Sequence, residues 1–173
     1  MTGLPVPSPP IFPAGYAPLP ADFTGWVTDS LGFCSTGVMF RAEQQSAQSI
    51  AANTQTIVTW DTVLEDPYGG WNAGNNSWLA PVSGWFEVTS TLIVASASGT
   101  LTNTVYVDSA TQYAASAVSV PSTNPGGSCA SFWVPMIAGT DFVQIRLNMT
   151  AATNTDAGQG QRSTLEISFV SVQ

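Results

Sequence analysis

The chain has 173 residues, 44% of them apolar and only 8% charged, with 3 basic residues against 11 acidic ones and a net charge of -8. That length supports one domain with a full core plus a short appendage, and so few charges leave the surface to Ser, Thr, Asn, Gln and Gly. The three basic residues, Arg41, Arg146 and Arg162, form no cluster, which excludes a phosphate-binding surface for nucleic acid and disfavours attraction to an anionic membrane.

Residues 1–20 hold seven prolines, at positions 5, 7, 9, 10, 13, 18 and 20, which remove amide donors and favour extended polyproline geometry. The apolar residues among them, Leu4, Val6, Ile11, Phe12 and Tyr16, give this arm more surface to bury than a solvated linker carries, so it reads as an arm that docks. It has neither the basic start nor the apolar run of a secretory signal. From Asp22 to Phe33, Phe23, Trp26, Val27 and Leu31 recur at helical spacing behind Asp22 as an N-cap. Such a helix packs either on its own domain or, with the arm, on a larger assembly, because periodicity does not say whose surface is covered.

Beyond Gly37 the signals are those of strands: Val38 to Ala42, Thr56 to Val63, Ser77 to Ala80, Trp85 to Ser96, Thr102 to Asp108, Ala115 to Val120, Cys129 to Ile137, Phe142 to Thr150 and Ser163 to Val172. In the fourth of these, Phe86, Val88, Leu92 and Val94 alternate with Trp85, Glu87, Thr89 and Thr91, the period-2 pattern of an interior strand with one face in a core. Turn-forming clusters at 66–76 and 122–128 separate them. The whole predicts an all-β, antiparallel β-sandwich of the jelly-roll kind over 37–173, preceded by the proline-rich arm and short helix over 1–36. No apolar run approaches a membrane span, so no membrane insertion is expected. Cys34 and Cys129 match no metal or redox spacing and read as two buried thiols, with a disulfide as the alternative.

The segments FRAEQ, TIVTWDTVLED, WLAPVSGWFEVTSTLIV, GGSCASFWVPMIAGTDFVQIRLNM and STLEISFVSV, in that order, resemble the globular head of the complement q subcomponent, a jelly roll shared with the tumour necrosis factor superfamily. The matching residues are Phe40, Trp60, Asp61, Val63, Leu64, Pro81, Gly84, Trp85, Phe86, Gly139, Asp141, Ser163 and Thr164. The resemblance implies sandwiches packed side by side as a homotrimer. The chain departs from the animal proteins in having no Gly-X-Y stalk, and in carrying Val107, Asp108 and Ser109 where the family usually has Lys-Asn-Gly. Its LPVPSP arm and Trp-bearing helix look like those of tail-associated or head-surface proteins of bacteriophages infecting actinobacteria.

The sequence contains no histidine and no lysine, which excludes His-dependent triads, His metal sites and Schiff-base chemistry. Asp61, Glu65 and Asp66 are the only tight carboxylate cluster; they suit an acid and base pair or, with Asn72, Asn75 and Asn76, an oxygen-ligand set for calcium. No calcium-loop spacing is present, and the plain reading is solvated turn residues. The oxygen-rich loop Thr153 to Gln161, with Asp156, is a loop tip with the same ambiguity. Neither a cofactor nor a metal is implied, and the chain is expected not to be an enzyme.

Two functions lead, with a hydrolase using Asp61, Glu65 or Asp66 as the third reading. One is a phage virion protein, a trimeric head whose arm, through Leu4, Val6, Ile11, Phe12, Phe23, Trp26 and Leu31, holds a capsid or tail protein. It would serve as decoration, fibre or minor tail protein. The other is a free binding module for carbohydrate or protein, with Trp71 and Trp78 as stacking surfaces for a host surface glycan.

Overall fold

The structure, a computed structural model, describes residues 11, 12, 14, 15, 24, 27, 37–108, 111–156 and 162–171. In chain order these form β1 (Val38–Gln44), β2 (Ser49–Ile50), β3 (Thr56–Ile57), β4 (Thr62–Glu65), β5 (Trp71–Asn72), β6 (Ser77–Leu79), β7 (Gly84–Val94), β8 (Gly99–Val107), β9 (Thr111–Val120), β10 (Gly126–Met136), β11 (Phe142–Met149), β12 (Thr153–Asn154) and β13 (Ser163–Ser171). Thr24 and Val27 are helical, inside the span 22–33 expected as a helix. The remainder of that span lies outside the described residues.

The alternation in β7 decides its placement. Phe86, Val88, Ser90, Leu92 and Val94 are buried, while Trp85 and Glu87 face outward, as expected for a strand with one face in the core. On either side lie β10 and β13, and the sheet continues through β1 to β4, giving the order β10-β7-β13-β1-β4. A second sheet, β5-β6-β11-β8-β9, with β3 also on β11, stacks against it, and β12 pairs with β2 at one end. All the strand pairs are antiparallel. The core between the sheets centres on Phe40, Trp78 and Phe86, with Trp78 edge-on to Phe86 at 5.6 Å between ring centroids. A fully buried polar tie crosses it: Ser90 Oγ donates to Asn103 Oδ1 at 3.0 Å, and Asn103 Nδ2 donates to the Ser90 carbonyl at 3.1 Å.

Several boundaries differ from expectation. Thr56 to Val63 is not one strand: β3 joins β11 in one sheet and β4 joins β1 in the other. The intervening residues cross between sheets with Val58 and Trp60 buried. Hydrogen bonds hold the crossing backbone at Val58 and Thr59: Val58 N donates to Ile145 O, Gln48 Oε1 accepts from Thr59 N, and Gln44 Nε2 donates to Thr59 O. The span 66–76, expected as turn, contains β5, which forms a small hairpin with β6. Glycines do not delay β10, which pairs from Gly126 onward.

Cys129 corrects the expectation of buried thiols. It is a free, exposed thiol, because the side chains of β10 that enter the core are Ser128, Ala130, Val134 and Met136, and Cys129 has the opposite parity. Cys34 lies outside the described residues.

Candidate functional site

The acidic cluster resolves into separate structural parts. Asp61 uses both carboxylate oxygens on the loop after β1, accepting from Gln45 N and Ser46 N at 2.7 Å each. Burial pushes this carboxyl up, but the Gln45 amide and the amide and hydroxyl of Ser46, with Thr62, outweigh it and hold Asp61 below the ordinary range. Asp66 closes the turn before β5: Oδ1 accepts from Gly70 N and Oδ2 from Trp71 N, each at 3.0 Å, and Trp78 Nε1 lies 3.4 Å from Oδ1. Glu65 pairs with Arg41 at 3.7 Å. The three carboxylates thus serve different partners, and among the described residues no group of three or more acidic or thiol side chains is placed to hold a metal ion.

Trp78 also corrects an expectation. It is fully buried, since its β6 neighbours place it over Phe86 and beside Phe40, so it offers no surface for a ligand. Trp71 is half-buried and stacks on Phe40 with centroids 5.1 Å apart and planes 22° apart. It lines an open groove of about 600 Å³ beside the β5–β6 hairpin.

Among the described residues, the most exposed aromatic surface lies elsewhere, on the outer face of the five-stranded sheet. Trp133 of β10 is 64% exposed and Trp85 of β7 is 38% exposed. Register sets Pro135 and Ser171 opposite Trp85, and Trp133 opposite Glu87, so the two indoles are diagonal neighbours on one face, within reach of each other's flanks. Val170, on the bulge between Phe169 and Ser171, and Ile137, just past β10, extend the apolar surface at the same end. Farther along the face, Thr89 Oγ1 donates to Ser131 Oγ at 3.0 Å, and Ser131 Oγ donates to Glu87 Oε1 at 2.8 Å. Across the sheet the face becomes charged, with Arg41 between Glu65 and Glu166, and Arg162 on Glu43 at 2.8 Å.

Trp133 was not singled out by sequence reasoning, although its signal was present. Once Val134 and Met136 are assigned to the core, parity turns Cys129, Ser131 and Trp133 outward. Of the residues expected to anchor the arm, Ile11 is 95% exposed and Phe12 is half-buried. Leu4, Val6, Phe23, Trp26 and Leu31 lie outside the described residues.

The strands also fix the two ends of the head. Gly37 O accepts from Phe169 N at 3.0 Å, so the chain enters β1 at the end where β13 finishes, β7 begins at Gly84 and the Trp85 and Trp133 surface lies. The opposite end carries the loops 45–48, 95–98, 121–125 and 150–152, built mostly from Ser, Ala, Gln, Thr, Asn and Pro.

Two stacked antiparallel sheets with this strand order define a jelly-roll sandwich of the tumour necrosis factor and complement 1q type. Solved structures of that class are similar to the chain. Murine APRIL, determined at pH 5.0, is 12% identical with a TM-score of 0.60, covering 77% of this chain and 98% of that one. The globular domain of zebrafish complement 1qA protein is 13% identical with a TM-score of 0.59, covering 78% and 97%. The PRD1 vertex protein P5 is 15% identical with a TM-score of 0.56, covering 78% and 99%. At these identities the likeness is one of fold. No family model and no curated protein matches the chain.

Proposed function

We propose that this protein is a non-enzymatic structural protein of a bacteriophage particle. Its jelly-roll head, residues 37–173, assembles as a homotrimer through the outer face of the five-stranded sheet. Residues 1–36 are the arm that holds the head to a capsid or tail protein, as decoration, fibre or minor tail protein of an actinobacterial phage. The observation that carries the reading is the exposed surface of Trp85, Trp133, Val170 and Ile137 at the end where the chain enters β1. A monomer that leaves two indoles and two aliphatic side chains exposed at one end has a surface suited to a partner.

The placement also supports attachment. Covering that face with neighbouring copies gathers three arms at one end, which multiplies their hold on the particle through effective concentration, and points the polar loops of the opposite end outward, where they could meet a host surface. The fold-level likeness to a vertex protein fits a particle role.

The test is mass in solution, by light scattering, of the full chain and of a chain starting at Gly37, paired with particle assembly in the absence of residues 1–36. The reading expects trimers in both samples and particles that lack the truncated protein. Monomers in both, or truncated protein retained on particles, overturn it.

A further inference from the structure

The groove beside the β5–β6 hairpin is separate from the aromatic face used above, since it lies at the free edge of the six-stranded sheet. Its volume, about 600 Å³, falls in the range of small-molecule sites. No charged side chain lines it; the walls are Gly69, Gly70, Trp71, Asn72, Asn75 and their neighbours, with Leu79 and Phe142 at the far side. In a chain of net charge -8, an uncharged lining favours a neutral ligand, which is neither repelled as an anion nor drawn in as a cation.

Four features give this lining a shape. Trp71 rests on Phe40, so one part of the indole is braced by the core while the rest lines the groove. Asn72 Oδ1 accepts from Gly74 N at 2.9 Å, and Asn75 Oδ1 accepts from Ser77 Oγ at 2.7 Å. Both carboxamide oxygens are thereby fixed to the hairpin, which leaves their NH₂ groups as the donors that the two lining residues can offer. A further hydrogen bond, from Gln144 Nε2 to Asn75 O at 2.8 Å, ties the hairpin to β11. Gly70 keeps the wall close-packed, because a Cβ there would lie 2.8 Å from Trp78 Nε1. An aromatic side chain braced on the core, amide donors in the same lining and no charge suit a ring with an apolar C–H face and hydroxyls at its rim.

We propose that this groove binds a neutral saccharide, with Trp71 as the stacking surface and the carboxamide NH₂ groups of Asn72 and Asn75 as donors to its hydroxyls. The site does not depend on the trimer or on particle attachment, so its failure leaves those readings standing.

The full-length protein is titrated with methyl β-glucoside, methyl β-galactoside, N-acetylglucosamine and β-linked tetramers of each, by saturation-transfer NMR and calorimetry. At least one probe is expected to saturate. Asn72→Asp and Asn75→Asp keep the acceptor oxygens that hold the hairpin but remove the donors, and each is expected to weaken binding roughly tenfold, the equivalent of one hydrogen bond. Trp71→Phe keeps a ring on Phe40 and is expected to retain weakened binding, whereas Trp71→Ala abolishes it. Trp133→Ser leaves it unchanged. Saturation by none of the probes, unaltered affinity in both Asp variants, or loss of binding in Trp133→Ser overturns the proposal.

Discussion

Trp133 gives the assembly reading its sharpest consequence. The residue is 64% exposed in the single head, and an indole has roughly 200 Å² to bury, so roughly 130 Å² is open, worth about 3 kcal/mol per copy if a neighbour covers all of it. Spread over the two association steps that make a trimer, three such losses raise the midpoint concentration for assembly by roughly 2,000-fold; covering half of the open area still gives roughly 50-fold. Trp133→Ser should therefore shift the trimer to much higher concentration without unfolding the head, because the side chain contributes little to the monomer's core. Sedimentation velocity over a dilution series reads the midpoint, and urea unfolding of dilute monomer checks the fold. A midpoint within about threefold of the parent's lies below even the half-covered estimate and refutes the assignment of this face. A parent that stays monomeric at the highest concentration reached refutes it as well.

Other consequences follow from single side chains. Asp61→Asn should lower stability by about 1–2 kcal/mol at neutral pH by weakening two charge-assisted bonds to amides. Because the folded-state pKa is lowered, that advantage is complete above the ordinary carboxylate range and fades as pH falls through the folded value; melting curves of the two proteins should converge in acid, and a constant gap refutes the clamp. Asn103→Ala should cost about 2–4 kcal/mol in urea unfolding, since it leaves buried Ser90 groups short of a partner and opens a small void, while Asn103→Leu combined with Ser90→Ala should recover part of the loss; equal loss in single and double variants counts against the tie. Cys129, exposed on the same sheet face as Trp133, should react with a disulfide reagent readily in dilute protein and more slowly once assembled, and an unchanged rate places it outside the covered area. Salt should strengthen assembly, because each copy brings a charge of -8 to contacts that the aromatic half of the face makes without ion pairs; a midpoint that rises with salt argues for charge-paired contacts instead.

The jelly roll was legible because its strands are amphipathic in the simplest way. In β7, each inward residue from Phe86 to Val94 can be read from period-2 alternation alone. The crossing at Val58 to Asp61 was not legible, because Val58 and Trp60 keep the same parity as a continuous strand while the backbone changes sheets. What permits the change is a pair of glutamines, Gln44 and Gln48, that satisfy the crossing backbone, and nothing in a glutamine's identity announces that role. Trp71 and Trp78 show the same limit at the site. They occupy directly paired positions on β5 and β6, yet one lines a groove and the other is sealed in the core; which is which depends on the sheet that closes over them. The acidic cluster failed as a site for a related reason, since proximity in sequence did not reveal that backbone amides engage Asp61 and Asp66.

The outer face of the five-stranded sheet is unequal across its width, and that inequality bears on how copies would meet. Its β10 and β7 side is aromatic and nearly uncharged, whereas its β1 and β4 side carries the exposed pairs of Arg41 with Glu65 and Glu166. Such exposed pairs contribute little to stability and are weakened by salt, so in the proposed assembly the aromatic side would supply most of the drive to associate. A two-fold contact would place like against like, indoles on indoles, and bury only the β10 side of each copy. A ring instead sets the aromatic side of one copy against a different part of the next, so every copy uses two surfaces and the contact closes on itself. Substitutions on the two sides separate these arrangements. In a two-fold dimer, Trp133→Ser acts and changes at Arg41 do not. In a ring, changes on either side weaken assembly, and a mixture of a Trp133→Ser copy with an Arg41→Glu copy still forms the one contact that joins their intact surfaces.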